Sequence, residues 1–144
     1  MADLTVKRFR ARPPSASERV LGLTIAGGLL RAAVANGKGH ILSHAAEPLD
    51  NLDAFGVFHR LRHLATTALA AAGLTTADVK AAGIAFGGPV DPVRGVTIFS
   101  PRSPGFEDFP LAALMEEQLG VPTVLENDAR AAAFGEAVFG AARG

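Results

Sequence analysis

From Val20 onward the chain alternates strand-length apolar runs with turn residues. VLGLTIA (Val20–Ala26), LLRAAVA (Leu29–Ala35) and the run His40–Ala46 are separated by Gly27-Gly28 and by Asn36-Gly37-Lys38-Gly39. Asn-Gly between apolar runs is the strongest short hairpin signal. The spacing therefore predicts an antiparallel meander of three strands. The period then changes. Phe55, Phe58, Leu61, Leu64, Ala65 and Leu69 recur at helical spacing and mark one apolar face. Asp50, Asn51 or Asp53 starts that helix and Gly73 ends it. Thr75 and Asp78 have capping-box spacing and add one more helical turn.

The second half alternates differently. Ala81–Phe86 reads as a buried strand running into the loop Gly87-Gly88-Pro89-Val90-Asp91-Pro92. Val93–Phe99 forms a small hairpin around Arg94-Gly95, and the proline-rich stretch Ser100–Pro110 is irregular. Leu111–Leu119 is a short helix opened by Pro110 and closed by Gly120. Pro122–Leu125 is a strand, and Asp128–Ala142 is an alanine-rich helix weakened by Gly135 and Gly140. A meander followed by helix–strand alternation predicts an α/β domain, a mixed sheet in the order β-β-β-α-β-α-β-α with helices packed on it.

Composition narrows the classes. Of 144 residues, 49% are hydrophobic and 19% charged, which is a globular balance. Fourteen basic residues cancel fourteen acidic ones, so no broad polyanion surface is expected. Without Trp or Tyr, the usual stacking aromatics of nucleic-acid platforms are missing, and a nucleic-acid partner is not expected. Without cysteine there is no disulfide framework and no thiolate metal site. No apolar leader or spanning segment appears, which predicts a soluble cytoplasmic protein with no membrane partner. Residues 1–18, with Lys7, Arg8, Arg10, Arg12 and Pro13-Pro14, read as a flexible basic tail, and 19–144 as a single lobe.

Ligands of α/β sheets bind beyond the carboxyl ends of parallel strands. Two segments qualify: Gly87–Asp91 and Glu126-Asn127-Asp128. A carboxylate at Asp128, where a strand gives way to a helix, sits beside first-turn amides. There it could take a proton from a hydroxyl that attacks phosphorus. Asn127 could both donate to and accept from substrate hydroxyls. Asn-Asp also caps helices that bind nothing, and spacing alone favours that plainer reading. Gly87-Gly88-Pro89 would let backbone approach a ligand, or is an ordinary turn. Ala26-Gly27-Gly28 could face phosphate, although Gly-Gly commonly marks a plain β-turn. His59 and His63 have metalloprotease spacing, but Arg60 stands where the general-base glutamate belongs, so no metal site is expected there. There is no P-loop and no dinucleotide fingerprint.

Three stretches resemble the ROK family of bacterial sugar kinases and sugar-responsive repressors. LGLTIAGGLLRAAV (Leu21–Val34) is similar to the family's opening LGIDIGGTKIRAAL. Gly83–Pro110 is similar to GIGVPGPVDPETGVVLFSPNLPGWENVP, and Leu119–Gly144 to LGLPVVVENDANAAALGEYLFGAGRG. The resemblance covers about residues 20–144. It implies the ribonuclease-H-like lobe of an actin-like ATPase, with sugar and ATP held between two such lobes. The match is to the first lobe. The second normally brings most of the nucleotide site and a zinc motif, so no zinc is expected here.

By the same resemblance the catalytic base falls on Asp128, and the sugar contacts on Asn127 and Gly88. Gly27 falls in the phosphate loop. The substrate would be a hexose or amino-hexose, with ATP and Mg as the family's cofactors. The phosphate loop departs from the pattern. Thr24 stands where the family has the aspartate that helps position Mg and phosphate, Ala26 replaces the first glycine, and Gly28 replaces the threonine. Arg102 replaces an asparagine in the P-N-x-P-G turn, and Arg130 replaces the second asparagine of E-N-D-A-N. The resemblance leaves two readings: a lobe of a hexose kinase that does not turn over alone, or a non-catalytic sugar-sensing lobe. Either is expected to self-associate or to pair with a second-lobe polypeptide.

Overall fold

The structure, a computed structural model, describes residues 15–131. Most of the basic tail, and residues 132–144 with the greater part of the last expected helix, lie outside the described residues. The elements run β1 (Arg19–Ala26), β2 (Leu29–Asn36), β3 (Ile41–Pro48), α1 (Ala54–Ala71), a 3-10 turn (Thr76–Asp78), β4 (Val79–Phe86), β5 (Val90–Asp91), β6 (Val96–Thr97), α2 (Leu111–Leu119) and β7 (Thr123–Asn127). Helix begins again directly at Asp128.

Five strands form one mixed sheet in the order β3-β2-β1-β4-β7. The β3-β2-β1 meander is antiparallel, while β4 runs parallel to both β1 and β7. Alternation dictates the faces. Leu21, Leu23 and Ile25 of β1 align with Ala82, Ile84 and Phe86 of β4, and all six are buried. On β2, Leu30, Ala32 and Val34 complete that face. Helix α1 covers it with Val57, Phe58, Leu61, Leu64, Ala65, Ala68 and Leu69. Leu61 has no exposed surface, and burying such a side chain contributes about 1.5–3 kcal/mol. Helix α2 adds Leu111, Met115 and Leu119 to the same core.

Local signals are realised with some changes. Of the three candidate starts, Asp53 caps α1 by accepting the Gly56 N–H at 2.9 Å. The Thr75–Asp78 capping box forms, around a 3-10 turn. The β2–β3 connection is longer than a two-residue hairpin. Asn36 Oδ1 accepts the Lys38 and His40 amides, and Gly39 rather than Gly37 takes positive φ. The second hairpin is displaced from Val93–Phe99 to β5 and β6. Asp91 Oδ1 accepts the Val93 and Arg94 amides and draws the turn back to 92–95. The strand expected at Pro122–Leu125 runs on to Asn127, because Glu126 and Asn127 pair with Ala85 and Phe86.

The proline-rich segment is irregular but anchored. Phe106 and Phe109 are buried beneath it, with the Phe106 ring tilted against Phe86 at 4.9 Å between centroids and edge-on to Phe109 at 5.5 Å. Thr97 Oγ1 donates to the Phe106 carbonyl at 2.7 Å, and Ala54 N–H donates to Pro104 O at 2.9 Å. The segment is thus tied to β4, β6 and the start of α1.

Candidate functional site

Parallel pairing decides where the site lies. Ile25, Phe86 and Asn127 stand in one cross-strand row at the carboxyl ends of β1, β4 and β7. Strand spacing puts the outer two about 10 Å apart. The Gly27-Gly28 turn, the Gly87–Pro89 loop and Asp128, each leaving the end of one of these strands, therefore emerge at the same sheet edge.

The structure joins two of these directly. Asn127 Nδ2 donates to the Gly88 carbonyl at 2.9 Å. Asn127 Oδ1 accepts the Ala129 amide at 3.1 Å and the Arg130 amide at 3.4 Å. Asn127 is therefore the last strand residue, the helix cap and the bridge to the neighbouring loop at once. Glu126 Oε1 accepts the Asn127 N–H at 2.8 Å and lies 3.9 Å from Arg130 Nε. Asp128 is half-buried. Its Oδ1 accepts the adjacent Ala129 amide at 2.8 Å, and no hydrogen bond among the described residues reaches its Oδ2. The capping that the sequence could have assigned to either residue falls chiefly on Asn127. Among the described residues, one carboxylate oxygen of Asp128 has no hydrogen-bond partner at the strand–helix junction.

Gly88 is a position of close approach. A Cβ there would lie 2.7 Å from the Phe99 carbonyl oxygen and 3.0 Å from Phe86 Cε2. The Gly87 N–H donates to Ile25 O at 2.7 Å and clamps the loop to β1. At the third element both turn residues are left-handed, Gly27 at φ 61° and Gly28 at φ 77°, the twist a tight β1–β2 hairpin requires.

Thr24 is half-buried on β1 opposite Arg31 of β2, on the sheet face away from α1. A threonine hydroxyl cannot supply the carboxylate that Mg with phosphate would use. The charged group against the turn is instead a cation. A Cβ built on Gly28 would sit 3.5 Å from Arg102 Nη1. Mg is ordinarily held through one or two carboxylates, and with Thr24 in place of a carboxylate and a guanidinium against Gly28 the β1–β2 turn does not fit it. The sequence marked Arg102 as a departure but had no means of bringing it to a turn more than seventy residues upstream. Only the anchoring of 98–110 by Phe106 and Phe109 does so.

His59 and His63 are exposed on α1, and Arg60 pairs with Glu47 at 2.9 Å. Ser100 Oγ accepts the Arg102 and Ser103 amides and shapes their turn. No helix among the described residues is long and apolar enough to cross a membrane.

A five-strand mixed sheet in this order is the ribonuclease-H-like lobe of the actin-like ATPases. The chain belongs to the ROK family, whose model matches residues 20–144. The glucokinase of Thermotoga maritima is 30% identical over 126 residues, covering 88% of this chain and 38% of that protein. The crystal structure of the ROK hexokinase from Thermus thermophilus is 36% identical at a TM-score of 0.78, covering 88% of this chain and 40% of that one. A ROK family glucokinase from Streptomyces griseus, solved with glucose and AMPPNP, is 34% identical at a TM-score of 0.78, covering 88% and 38%. The chain thus spans about two fifths of the length of these relatives, at their N-terminal region.

Proposed function

We propose that this chain is the sugar-binding lobe of a ROK-type ATP-dependent hexose kinase, acting with a second lobe that completes the cleft. The observation that carries this reading is the division of labour at the end of β7. Asn127 takes the capping and bridges to Gly88, and no hydrogen bond among the described residues reaches Asp128 Oδ2. In the proposed step Asp128 accepts the proton of a hexose hydroxyl. The hydroxyl oxygen bonds to the terminal phosphorus of ATP, and the bond to the departing ADP breaks. Asn127 and the Gly88 loop orient the sugar, and the Gly27 turn faces the phosphates. The hexose and ATP are carried over from the glucokinase and hexokinase relatives.

Calorimetry with glucose and N-acetylglucosamine tests the sugar site. The wild-type chain should bind a hexose, and Asp128→Ala should weaken binding about tenfold or more, the worth of a hydrogen bond to a charged group. No binding of either sugar by the wild-type chain contradicts the reading. Tested alone, the chain should not consume ATP in response to hexose, because phosphoryl transfer depends on positioning both substrates. Addition of a second-lobe polypeptide should restore turnover, and Asp128→Asn should then lower it by about a hundredfold or more.

A second reading, sugar sensing without catalysis, is favoured by Thr24. Sugar binding that survives Asp128→Ala and ignores Mg-ATP would select it.

A further inference from the structure

The polar groups at the ends of β4 and β7 meet one half of a carbohydrate's chemistry. Asn127, Asp128 and the Gly88 loop offer donors and acceptors to hydroxyls. A pyranose also has faces of C–H bonds, and small-molecule sites match apolar faces with aromatic side chains set around a few polar ones. The hairpin after Gly88 brings an aromatic residue to that place. Val90 pairs with Thr97 and Asp91 with Val96. The ladder runs one step further, with the Ile98 N–H donating to Pro89 O at 2.9 Å. The same register sets Phe99 opposite Gly88, and a Cβ on Gly88 would lie 2.7 Å from the Phe99 carbonyl oxygen. The Gly88 carbonyl in turn accepts Asn127 Nδ2 at 2.9 Å. Phe99, Gly88 and Asn127 are thus successive neighbours across the edge, with Asp128 next along the chain.

Two features separate Phe99 from an ordinary surface phenylalanine. Phe86, Phe106 and Phe109 close into a buried cluster under this segment, yet Phe99 is left 48% exposed. Its backbone is also held on both sides. The Ile98 amide bonds to Pro89 O before it, and after it Ser100 Oγ accepts the Arg102 and Ser103 amides and turns the chain. We propose that Phe99 is the apolar platform of the sugar site, its ring taking the C–H face of a pyranose whose hydroxyls reach Asn127 and Asp128. This rests on the sugar-binding reading of the lobe and adds what recognises the ring form. Pyranose C–H hydrogens carry slight positive charge and meet the negative face of the phenyl ring, while apolar surface leaves water on both partners. An open-chain polyol carries similar hydroxyls but no fixed C–H face. Phe99 therefore widens the preference for a pyranose over the corresponding polyol.

The test is calorimetry of the purified chain with glucose and with glucitol. Wild-type protein should bind glucose the more tightly. Phe99→Ala should weaken glucose binding about tenfold or more, as loss of buried aromatic surface does, and glucitol binding much less. Ile98→Ala removes the neighbouring exposed apolar side chain and should leave glucose binding unchanged. Phe99→Trp should keep glucose binding, since an indole also presents an aromatic face. The chain has no Trp or Tyr, so that variant carries a single reporter, whose emission should change saturably with glucose. Four results overturn the proposal: glucose binding unchanged in Phe99→Ala, an equal loss for glucose and glucitol, an equal loss in Ile98→Ala, or indole emission that saturating glucose does not move. No glucose binding by the wild-type chain overturns it together with the sugar-binding reading. Glucose binding weakened by Asp128→Ala and not by Phe99→Ala sinks this proposal alone. The reverse pattern upholds Phe99 and fails the Asp128 reading.

Discussion

At the residue scale, neighbouring side chains of similar chemistry have been given different work. Among the described residues, Asn127 holds two amides of the following helix and one carbonyl of the next loop, whereas Asp128 holds only the amide beside it. Asn127→Ala should therefore cost about 1–2 kcal/mol in urea unfolding, as loss of a helix cap does. Asp128→Ala should cost under about 1 kcal/mol, because a single exposed hydrogen bond is lost. Equal losses would contradict the division of labour. Gly88→Ala should destabilise by about 1–3 kcal/mol, since its Cβ would press on the Phe99 carbonyl and the Phe86 ring. The dipeptide at 127–128 was legible in the sequence as a place where chemistry could sit. Which residue caps and which stays open was not, because both types cap helices equally well. The choice follows from the pairing of Asn127 with Phe86, which aims its amide at Gly88.

At the element scale, the helices were more legible than the strands. Leu111–Leu119 falls where its flanking proline and glycine predict. Helix α1 follows its apolar spacing, since side-chain periodicity and caps are local properties. Strand ends depend on partners far away in sequence. Strand β3 continues to Pro48 because Leu29 pairs with it, and β7 continues to Asn127 because β4 does not end before Phe86. The segment 98–110 shows the same dependence, its order coming from aromatic contacts that no local pattern marks. Phe106→Ala should cost about 3–5 kcal/mol. It should also raise hydrogen exchange at Ala54 and Thr97, whose amides donate to Pro104 O and Phe109 O. Exchange unchanged at both would show that the segment is held by something else.

At the scale of the whole molecule, the fold gathers three strand ends at one edge. It also leaves apolar surface near that edge. Phe55, which packs edge-on against Phe109, is 58% exposed, and Ile98 and Phe99 are 41% and 48% exposed. Apolar surface of this kind marks interaction sites. The chain is expected to self-associate, with a light-scattering mass that rises with concentration, and a strictly monomeric mass at high concentration would count against it. In the proposed function Asp128 faces a carbohydrate and does more than begin a helix. A crystal structure of the chain with glucose measures this most directly. A sugar hydroxyl should lie within about 2.6–3.2 Å of Asp128 Oδ2, with the Asn127–Gly88 bond intact. Glucose bound away from the ends of β4 and β7, with both Asp128 oxygens taken up by main-chain amides, would contradict it.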